Sequence, residues 1–343
     1  MHRLSSRARS WILAAVPAVL VLAGCDRTPT EPIMAPIAAA KGGGGGGSAK
    51  PAVVNKIAFV SSHEFIGESA IYVVDPDGQN LARVTTPAAG YGDTEPSFSS
   101  GVSPRVAFAR VDANGKSEIY SVNLNGSGLL QLTSFQARTR TPVFSPNGSK
   151  IAFVSDKAGV PGPAPVYQLF VMNADGSNVQ YVAETIERSR PSWSADGKTL
   201  FYSVAEDWNG VFHTIIRGIH LQTGATSIVM ACPNAMCVSP QADFVTGRVI
   251  YEYIATGLGI TLPNLWIVDP VQGTNQIIWW IPASRVGGWS KDGTRFVFAP
   301  VDPLGEAMDA LQILDVTTLG NYSVSFSALP TAARIAFWPT WTR

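Results

Sequence analysis

Short apolar runs separated by turn-forming residues recur along the chain from Lys56 onward. Residues 142–183 contain four of them, PVFS, KIAFVS, QLFVMN and NVQYVA, which we label A, B, C and D in chain order. A and B are joined by Pro-Asn-Gly, and C and D by Asn-Ala-Asp-Gly. Asn-Gly and Asp-Gly pairs between such segments indicate hairpins, because glycine accepts the positive φ that tight turns need. The pattern therefore predicts four short antiparallel strands.

The four-strand pattern repeats every 45 to 50 residues, a period typical of β-propeller blades. It is marked by the aromatic residue of run B, which is Phe59, Phe108, Phe153, Phe201, Tyr251 or Phe298. The first B run has no A run before it, and the last A run has no B run after it. We therefore predict an all-β, six-bladed β-propeller with four-stranded antiparallel blades over residues 56–343. A C-terminal strand at 338–342 is expected to pair with blade one and close the ring, which removes free sheet edges.

The N-terminal region has a different pattern. A positively charged start, an apolar run over residues 11–22 and the sequence LAGC resemble a bacterial lipoprotein signal. The resemblance implies a signal peptide over residues 1–24 and lipidation of Cys25; an ordinary secretory signal is the alternative. Residues 25–55 hold six consecutive glycines and few large apolar side chains. Such a segment buries too little surface to offset its ordering entropy, so we expect a disordered tether.

The hairpin PSWSADGKTLFYS and a C strand such as IYVVDPDG resemble the WD-type repeats of the TolB β-propeller family. The resemblance covers about Lys56 to Thr342 and is weaker in blades four and five; in blade five, CVSPQADF replaces the Pro-x-Trp-Ser hairpin. Members of the TolB type carry an extra N-terminal α/β domain, where this chain has only the linker. The resemblance therefore supports the propeller alone. It implies a periplasmic or cell-surface location and contact with other proteins, without fixing a partner.

The net charge of the chain and the catalytic motifs that it lacks argue against several classes of function. The formal net charge is zero and charged residues make up 15% of the chain, so there is no basic excess to bind nucleic acid. The mature sequence has neither His-Glu-x-x-His nor Gly-x-Ser-x-Gly. His213 and His220 are seven apart on one C strand, which sends their side chains to opposite faces. We expect no catalytic residue, no metal and no cofactor.

Two turn motifs invite functional interpretations. SADG and SKDG resemble the Asp-box of sialidases, but glycine follows aspartate directly here, which favours a plain tight turn. The DPDG, NLNG and NADG turns resemble half of a calcium loop but lack its later bidentate glutamate. We interpret them as turns in which Asp75, Asn123, Asn173 and Asp269 hydrogen-bond their own backbone.

Cys232 and Cys237 are five residues apart in a chain predicted to be exported, which favours a disulfide over two buried thiols. Trp193, Trp289 and Trp341 lie in A strands. We expect them to pack between blades rather than to bind a ligand.

Antiparallel order places the A–B and C–D turns on one face, the bottom, and the B–C and D–A connections on the other, the top. The B–C connections are longer and more varied, for example Ala205–His213, and variable loops on a rigid scaffold commonly carry recognition. The D–A connections carry a set of arginines: Arg138, Arg140, Arg188, Arg190, Arg285 and Arg334. Two interpretations stay open. The set forms an anion-binding mouth, or it pairs with neighbouring carboxylates and braces the rim.

The sequence thus predicts a lipid-anchored binding module of the bacterial cell envelope. Its partner is an envelope protein or an anionic ligand, and it contacts the membrane only through the anchor. The tether joins at the bottom, so the top is expected to face away from the membrane. The alternative is a carbohydrate-active or other enzyme that acts on anionic substrates in the mouth. Several arginines converging on an isolated Glu or Tyr would favour the enzyme, whereas an ion-paired mouth would favour the module.

Overall fold

The computed structural model describes residues 54–62, 69–101, 103–157, 167–208, 211–233, 235–255, 264–279, 283–300, 311–324 and 334–342. The regular structure within these residues is entirely strand, arranged as six four-stranded sheets. Neighbouring strands in every sheet are antiparallel. The predicted six-bladed β-propeller is therefore confirmed. The signal sequence, Cys25 and most of the tether lie outside the described residues.

The strands follow the chain blade by blade. Blade one contains β1 (Ile57–Ser62), β2 (Ser69–Val74) and β3 (Ala82–Arg83); blade two contains β4 (Gly92–Phe98), β5 (Arg105–Val111), β6 (Ser117–Asn123) and β7 (Leu130–Gln131); blade three contains β8 (Thr139–Phe144), β9 (Lys150–Ser155), β10 (Tyr167–Asn173) and β11 (Gln180–Thr185). Blade four contains β12 (Ser192–Trp193), β13 (Thr199–Trp208), β14 (Val211–His220) and β15 (Thr226–Cys232); blade five contains β16 (Ala235–Ala242), β17 (Val249–Ala255), β18 (Asn264–Asp269) and β19 (Thr274–Trp279); blade six contains β20 (Ala283–Trp289), β21 (Arg295–Pro300), β22 (Leu311–Asp315) and β23 (Asn321–Val324). The last strand, β24 (Arg334–Trp341), belongs to blade one.

Strand β24 closes the ring by pairing antiparallel with β1. Two further hydrogen bonds join Lys56 and Thr342, one from the Lys56 amide to the Thr342 hydroxyl (2.9 Å) and one from the Thr342 amide to the Lys56 carbonyl (2.8 Å). Closure by the C-terminal strand was predicted, but the bounds 338–342 were too short. A β-bulge opposite Ala58 and Val60 lets pairing continue past Pro339 back to Arg334, because the bulge absorbs the residue that cannot donate to the ladder.

One edge strand of each blade, formed by run A of the sequence, lies at the axis of the ring; in blade one this strand is β24. Strand β24 contacts β4, β4 contacts β8, β12 contacts β16, β16 contacts β20, and β20 contacts β24. The circle is completed by the Trp193 indole N–H of β12, which donates to the Val143 carbonyl of β8 at 2.9 Å. Charged residues on these strands therefore meet residues of other blades.

The hydrophobic core is divided into six clusters, each lying between two neighbouring blades. Successive side chains of a strand point to opposite faces of the blade, so one strand contributes to the clusters on both sides. On β5, Phe108 packs toward blade one, whereas Ala107 and Ala109 pack toward blade three. Phe108 is fully buried, and burial of a side chain of this size contributes about 1.5–3 kcal/mol. The repeated aromatic of run B is thus a blade-to-blade contact.

Three axial strands share a bulge at the residue before their proline. Glu95, Thr141 and Ser239 have φ values of 57°, 51° and 54°, in the left-handed region that side chains other than glycine enter at a cost. Each stands at a register shift of its strand. The bulge frees the amide of Thr141 from the ladder, and that amide bonds to a side chain of blade two.

Blade four departs from the sequence prediction. Residues 205–213 were expected to form a long connection, but β13 and β14 remain paired as far as Trp208 opposite Val211. Trp208 packs on His213 with ring centroids 4.8 Å apart, and Arg217 forms an ion pair with Glu206. The Asn209-Gly210 sequence between the strands is a hairpin signal that predicts this extension. Blade four therefore carries a long hairpin on the top face.

Candidate functional site

The repeated turns of the bottom face are explained by bonds within each turn. The Ser194 hydroxyl donates to Asp196 Oδ1 at 2.6 Å and accepts the Thr199 amide at 2.9 Å. Asp196 Oδ1 also accepts the Lys198 amide at 3.1 Å, and these bonds hold the pKa of Asp196 below its usual value. Ser290 and Asp292 repeat the first bond at 2.5 Å. The Ser and Asp side chains that resemble an Asp-box therefore serve to close the turn.

The C–D turns are also closed internally, although the bonding differs in part from the prediction. Asp269 Oδ1 accepts the amides of Val271 and Gln272 at 2.9 and 3.0 Å, as expected. Asp75, Asn123 and Asn173 instead bond to side chains, namely Asn80, Ser127 and Ser177. In those turns the backbone amide is accepted by the third residue, Asp77, Asn125 or Asp175. Across the described residues, no group of His, Cys, Asp or Glu side chains has an arrangement that could hold a metal ion.

Several charged side chains near the top face lie close to Glu95. Glu95 itself is buried on β4. Its Oε2 accepts the Thr141 amide at 2.6 Å, and its Oε1 lies 3.3 Å from Arg140 Nη2. Arg140 Nη1 lies 3.6 Å from Oε1 of Glu187, which is in the D–A connection between blades three and four. The charges of Glu95 and then Glu187 raise the pKa of Arg140, against the opposing effect of its burial. One arginine of the predicted set therefore joins blade three to blade two.

Arg190 is the most deeply placed member of the described set, with 4% of its surface exposed. Its Nη2 donates to the Pro96 carbonyl of blade two at 3.0 Å, so it reaches past blade three. Burial lowers the pKa of Arg190 to about 10, and the charges of Glu95 and Glu252 oppose that decrease. Glu252 is itself buried, on β17 of blade five. Arg190 therefore braces the axis and is not open to a ligand.

The other predicted arginines are placed differently. Arg138 and Arg188 are exposed on the top face. Arg138 Nη1 lies 3.4 Å from the Tyr167 hydroxyl, a hydrogen bond that raises the pKa of Arg138, and its amide donates to Asp156 at 2.7 Å. The carbonyl of Arg188 accepts the Ser239 hydroxyl at 3.0 Å. The backbones of Arg285 and Arg334 belong to β20 and β24, and their side chains lie outside the described part.

The remaining candidates stand at blade interfaces. Cys232 of β15 and Cys237 of β16 are joined as a disulfide with Cα atoms 5.9 Å apart, which links blade four to blade five. Trp193 and Trp289 donate to the Val143 and Gln241 carbonyls of the preceding blades, both at 2.9 Å. Together with the burial of Trp341 between blades six and one, this confirms that the tryptophans pack between blades.

Three acidic groups at this site were missed by reasoning from the sequence. Glu95 precedes Pro96 as Arg190 precedes Pro191, so the two occupy the same place in the repeat. Glu252 follows Tyr251 in run B, where the other blades carry an apolar residue. Asp93 is fully buried and binds Arg110 through two bonds of 2.7 and 2.9 Å. Glu252 could have been found in the sequence as a charged residue at a repeat position that is apolar in other blades.

Comparison with known proteins agrees with this architecture. The model of the TolB beta propeller domain matches residues 100–246. A Chlorobium luteolum protein described as a TolB homolog is 32% identical over 85 residues, which cover 25% of this chain and 18% of the relative. TolB from Acinetobacter baumannii superimposes with a TM-score of 0.67 at 16% identity, over 84% of this chain and 66% of that one. This chain is a TolB-like six-bladed β-propeller.

A chain of the hydrazine synthase from Kuenenia stuttgartiensis is also similar, with a TM-score of 0.65 at 13% identity, over 84% of this chain and 47% of that one. Identities this low show a shared fold alone. The match spans 18% of the curated relative's length. The TolB-like propeller contains, in its described part, no helix with the length and apolarity needed to cross a membrane.

Proposed function

We propose that the TolB-like propeller is a binding module of the bacterial cell envelope that engages a partner protein through its top face, without catalysis. The observation that carries the proposal is the ion-paired mouth. Arg140 is held between Glu95 and Glu187, and Arg190 is buried beside Glu95 and Glu252. Charges that neutralise one another across blades stiffen a recognition surface, whereas acid–base catalysis needs a positioned group that is free to exchange a proton.

The top face is favoured over the bottom by the character of its connections. The bottom carries short turns closed by their own side chains, such as Ser194–Thr199. The top carries the exposed guanidinium groups of Arg138 and Arg188 and the long hairpin with Trp208, which is 40% exposed. Arginine and tryptophan are the residues most often found at the energetic centre of protein interfaces.

Photo-crosslinking from one position on each face tests the proposed surface. A photo-reactive amino acid is placed at Arg138 on the top or, as the matched control, at exposed Lys198 on the bottom. We expect partner adducts in cells from position 138 and a much weaker yield from position 198. Adducts that form from position 198 alone would show that the binding face is the other one.

The envelope location rests on the N-terminal sequence, with Cys25 as the lipidated residue. Cys25→Ser removes the only thiol that the signal offers for lipidation. We expect the variant to move from the membrane fraction to the soluble periplasmic fraction, while Cys232→Ser, the control for loss of a cysteine, stays with the membrane. Retention of Cys25→Ser in the membrane fraction would argue against the lipid anchor.

A further inference from the structure

The two carboxylates that hold Arg140 differ in how firmly they are bound. Glu95 is buried and its second oxygen is fixed by the Thr141 amide at 2.6 Å. Glu187 is 51% exposed at the side chain and lies 3.6 Å from Arg140. Exposed ion pairs contribute only about 0–1 kcal/mol because water screens them and both side chains lose freedom. The contact with Glu95 is therefore the more firmly held, and the contact with Glu187 is the more readily exchanged.

The surroundings of Glu187 suit a carboxylate that comes from outside. The Tyr167 hydroxyl accepts from Arg138 Nη1 at 3.4 Å, and burial, with a smaller contribution from the charge of Glu187, raises the pKa of Tyr167. Arg138 and Arg188 are exposed, and Lys157 is exposed with its Nζ 3.6 Å from the centre of the Phe135 ring. Asp156, the residue after β9, lies beside this group, and one of its carboxylate oxygens accepts the Arg138 amide at 2.7 Å. Three exposed cations, Arg138, Arg188 and Lys157, therefore lie on this part of the top face and could attract a further carboxylate.

Arg140 keeps an accessible edge in this setting. Its side chain is 30% exposed, although Glu95 lies behind it. A guanidinium group offers several N–H donors in one plane and binds a second carboxylate without releasing the first. Displacement of Glu187 would thus expose a donor edge of Arg140 that is already oriented by blade two, together with the hydroxyl of Tyr167.

We propose that Glu187 is an internal competitor, and that an acidic peptide segment of the partner binds by replacing the Glu187 carboxylate on Arg140. This inference rests on the proposed function, because it assigns the chemistry of the partner at the same face. The Glu187 side chain keeps Arg140 paired when no partner is bound. The arriving carboxylate gains Arg140 and the neighbouring Arg138, while Glu187 moves into solvent.

The test uses the propeller with its whole chain, in detergent, and two fluorescent peptides, acetyl-Asp-Glu-Asp-Glu-Asp-amide and its Asn/Gln counterpart. Fluorescence anisotropy at low ionic strength gives the Kd. Removal of an exposed ion pair of about 0.2–1 kcal/mol converts to about 1.4- to 5-fold in affinity. We therefore expect Glu187→Gln to bind the acidic peptide about 1.4- to 5-fold more tightly than the unmodified protein, and Arg138→Gln to bind it more weakly.

Glu184→Gln is the matched control, because Glu184 is also exposed, belongs to β11 and changes the net charge equally. Equal gains in the two variants would reduce the effect to net charge and overturn the proposal. It is also overturned if neither peptide binds, or if the neutral peptide binds as well as the acidic one. Top-face crosslinks obtained alongside such a negative result would leave the proposed function standing and remove only the exchange at Arg140.

Discussion

Arg190 combines burial with a positive charge, and its environment explains how both are tolerated. Burial lowers the pKa of Arg190 to about 10, which still leaves the group charged at neutral pH. Glu95 and Glu252 compensate that charge from blades two and five. A buried charge that loses its partner costs far more than the pair contributes when intact. The residues at the axis must therefore be changed together or not at all.

Arg190→Ala is expected to lower the free energy of unfolding by about 3–5 kcal/mol, since it leaves two buried carboxylates without their common cation. Arg138→Ala, which truncates an exposed arginine on the same face, should change it by about 0.5 kcal/mol or less. Urea denaturation followed by tryptophan fluorescence gives both values. Equal losses in the two variants would contradict the bracing role of Arg190.

Asp315 provides a prediction that depends on pH. Its Oδ1 accepts the Thr317 hydroxyl at 2.6 Å, and this bond, followed by those from backbone amides, lowers the pKa of Asp315 to about 2. The folded pKa is below the usual 3.8, so the turn is stabilised above pH 3.8 and loses that contribution as the pH falls through about 2. A carbon-detected NMR titration should show a midpoint near pH 2. Thr317→Val should raise that midpoint toward 3.8, and an unchanged midpoint would exclude the hydroxyl as the cause.

At the scale of the element, the sequence predicted almost every hairpin, because each blade repeats the same turn and the same apolar alternation. Exceptions arose where one blade differs from the repeat. The long β13–β14 hairpin follows from a single Asn-Gly pair at 209–210. The pairing of charged residues was not predictable, since the Thr141 amide finds Glu95 at a separation of 46 residues and Arg190 finds Pro96 at a separation of 94. A period shows which residues occupy the same level of the ring, and it does not show which of them touch.

Two turn glycines with different surroundings, Gly176 and Gly115, allow the cost of a contact between blades to be separated from the cost of the turn itself. Gly176 has a φ of +87°, and an added Cβ would lie 2.7 Å from the Leu132 carbonyl oxygen of blade two. Gly115 has a φ of +77° and has nothing within 4 Å of that position. We expect Gly115→Ala to cost about 1 kcal/mol for the left-handed backbone alone, and Gly176→Ala about 2–4 kcal/mol. Thermal unfolding of both variants gives the comparison, and similar losses would mean that the contact between blades relaxes without cost.

At the scale of the whole molecule, the ring holds because its last strand completes its first blade. Trp341 is 1% exposed, and its indole N–H donates to Asn55 Oδ1 at 2.6 Å. Its ring packs with Ile57 and Phe59 of β1 and with residues of blade six. Loss of this strand would open the paired edge of β1 and uncover the cluster between blades six and one.

Deletion of residues 334–343 is therefore expected to abolish cooperative thermal unfolding and to make blade one sensitive to protease. Deletion of residues 1–49, which precede the compact unit Lys50–Arg343 in the sequence, should leave the melting temperature within about 2 °C. Circular dichroism and limited proteolysis report both outcomes. A cooperative transition that survives the C-terminal deletion would show that five complete blades hold the sixth in place.

The pairing of β24 with β1 also imposes an order in time. The Lys56 amide bonds to a residue 286 positions later, so blade one waits for the end of the chain. During synthesis the inner edge of β1 stays unpaired while every other blade can already form, and an unpaired apolar strand edge promotes association between chains. The inner edge of β1 therefore stays open until the last strand is available, and a circular permutant that begins at Arg334 should shorten that interval.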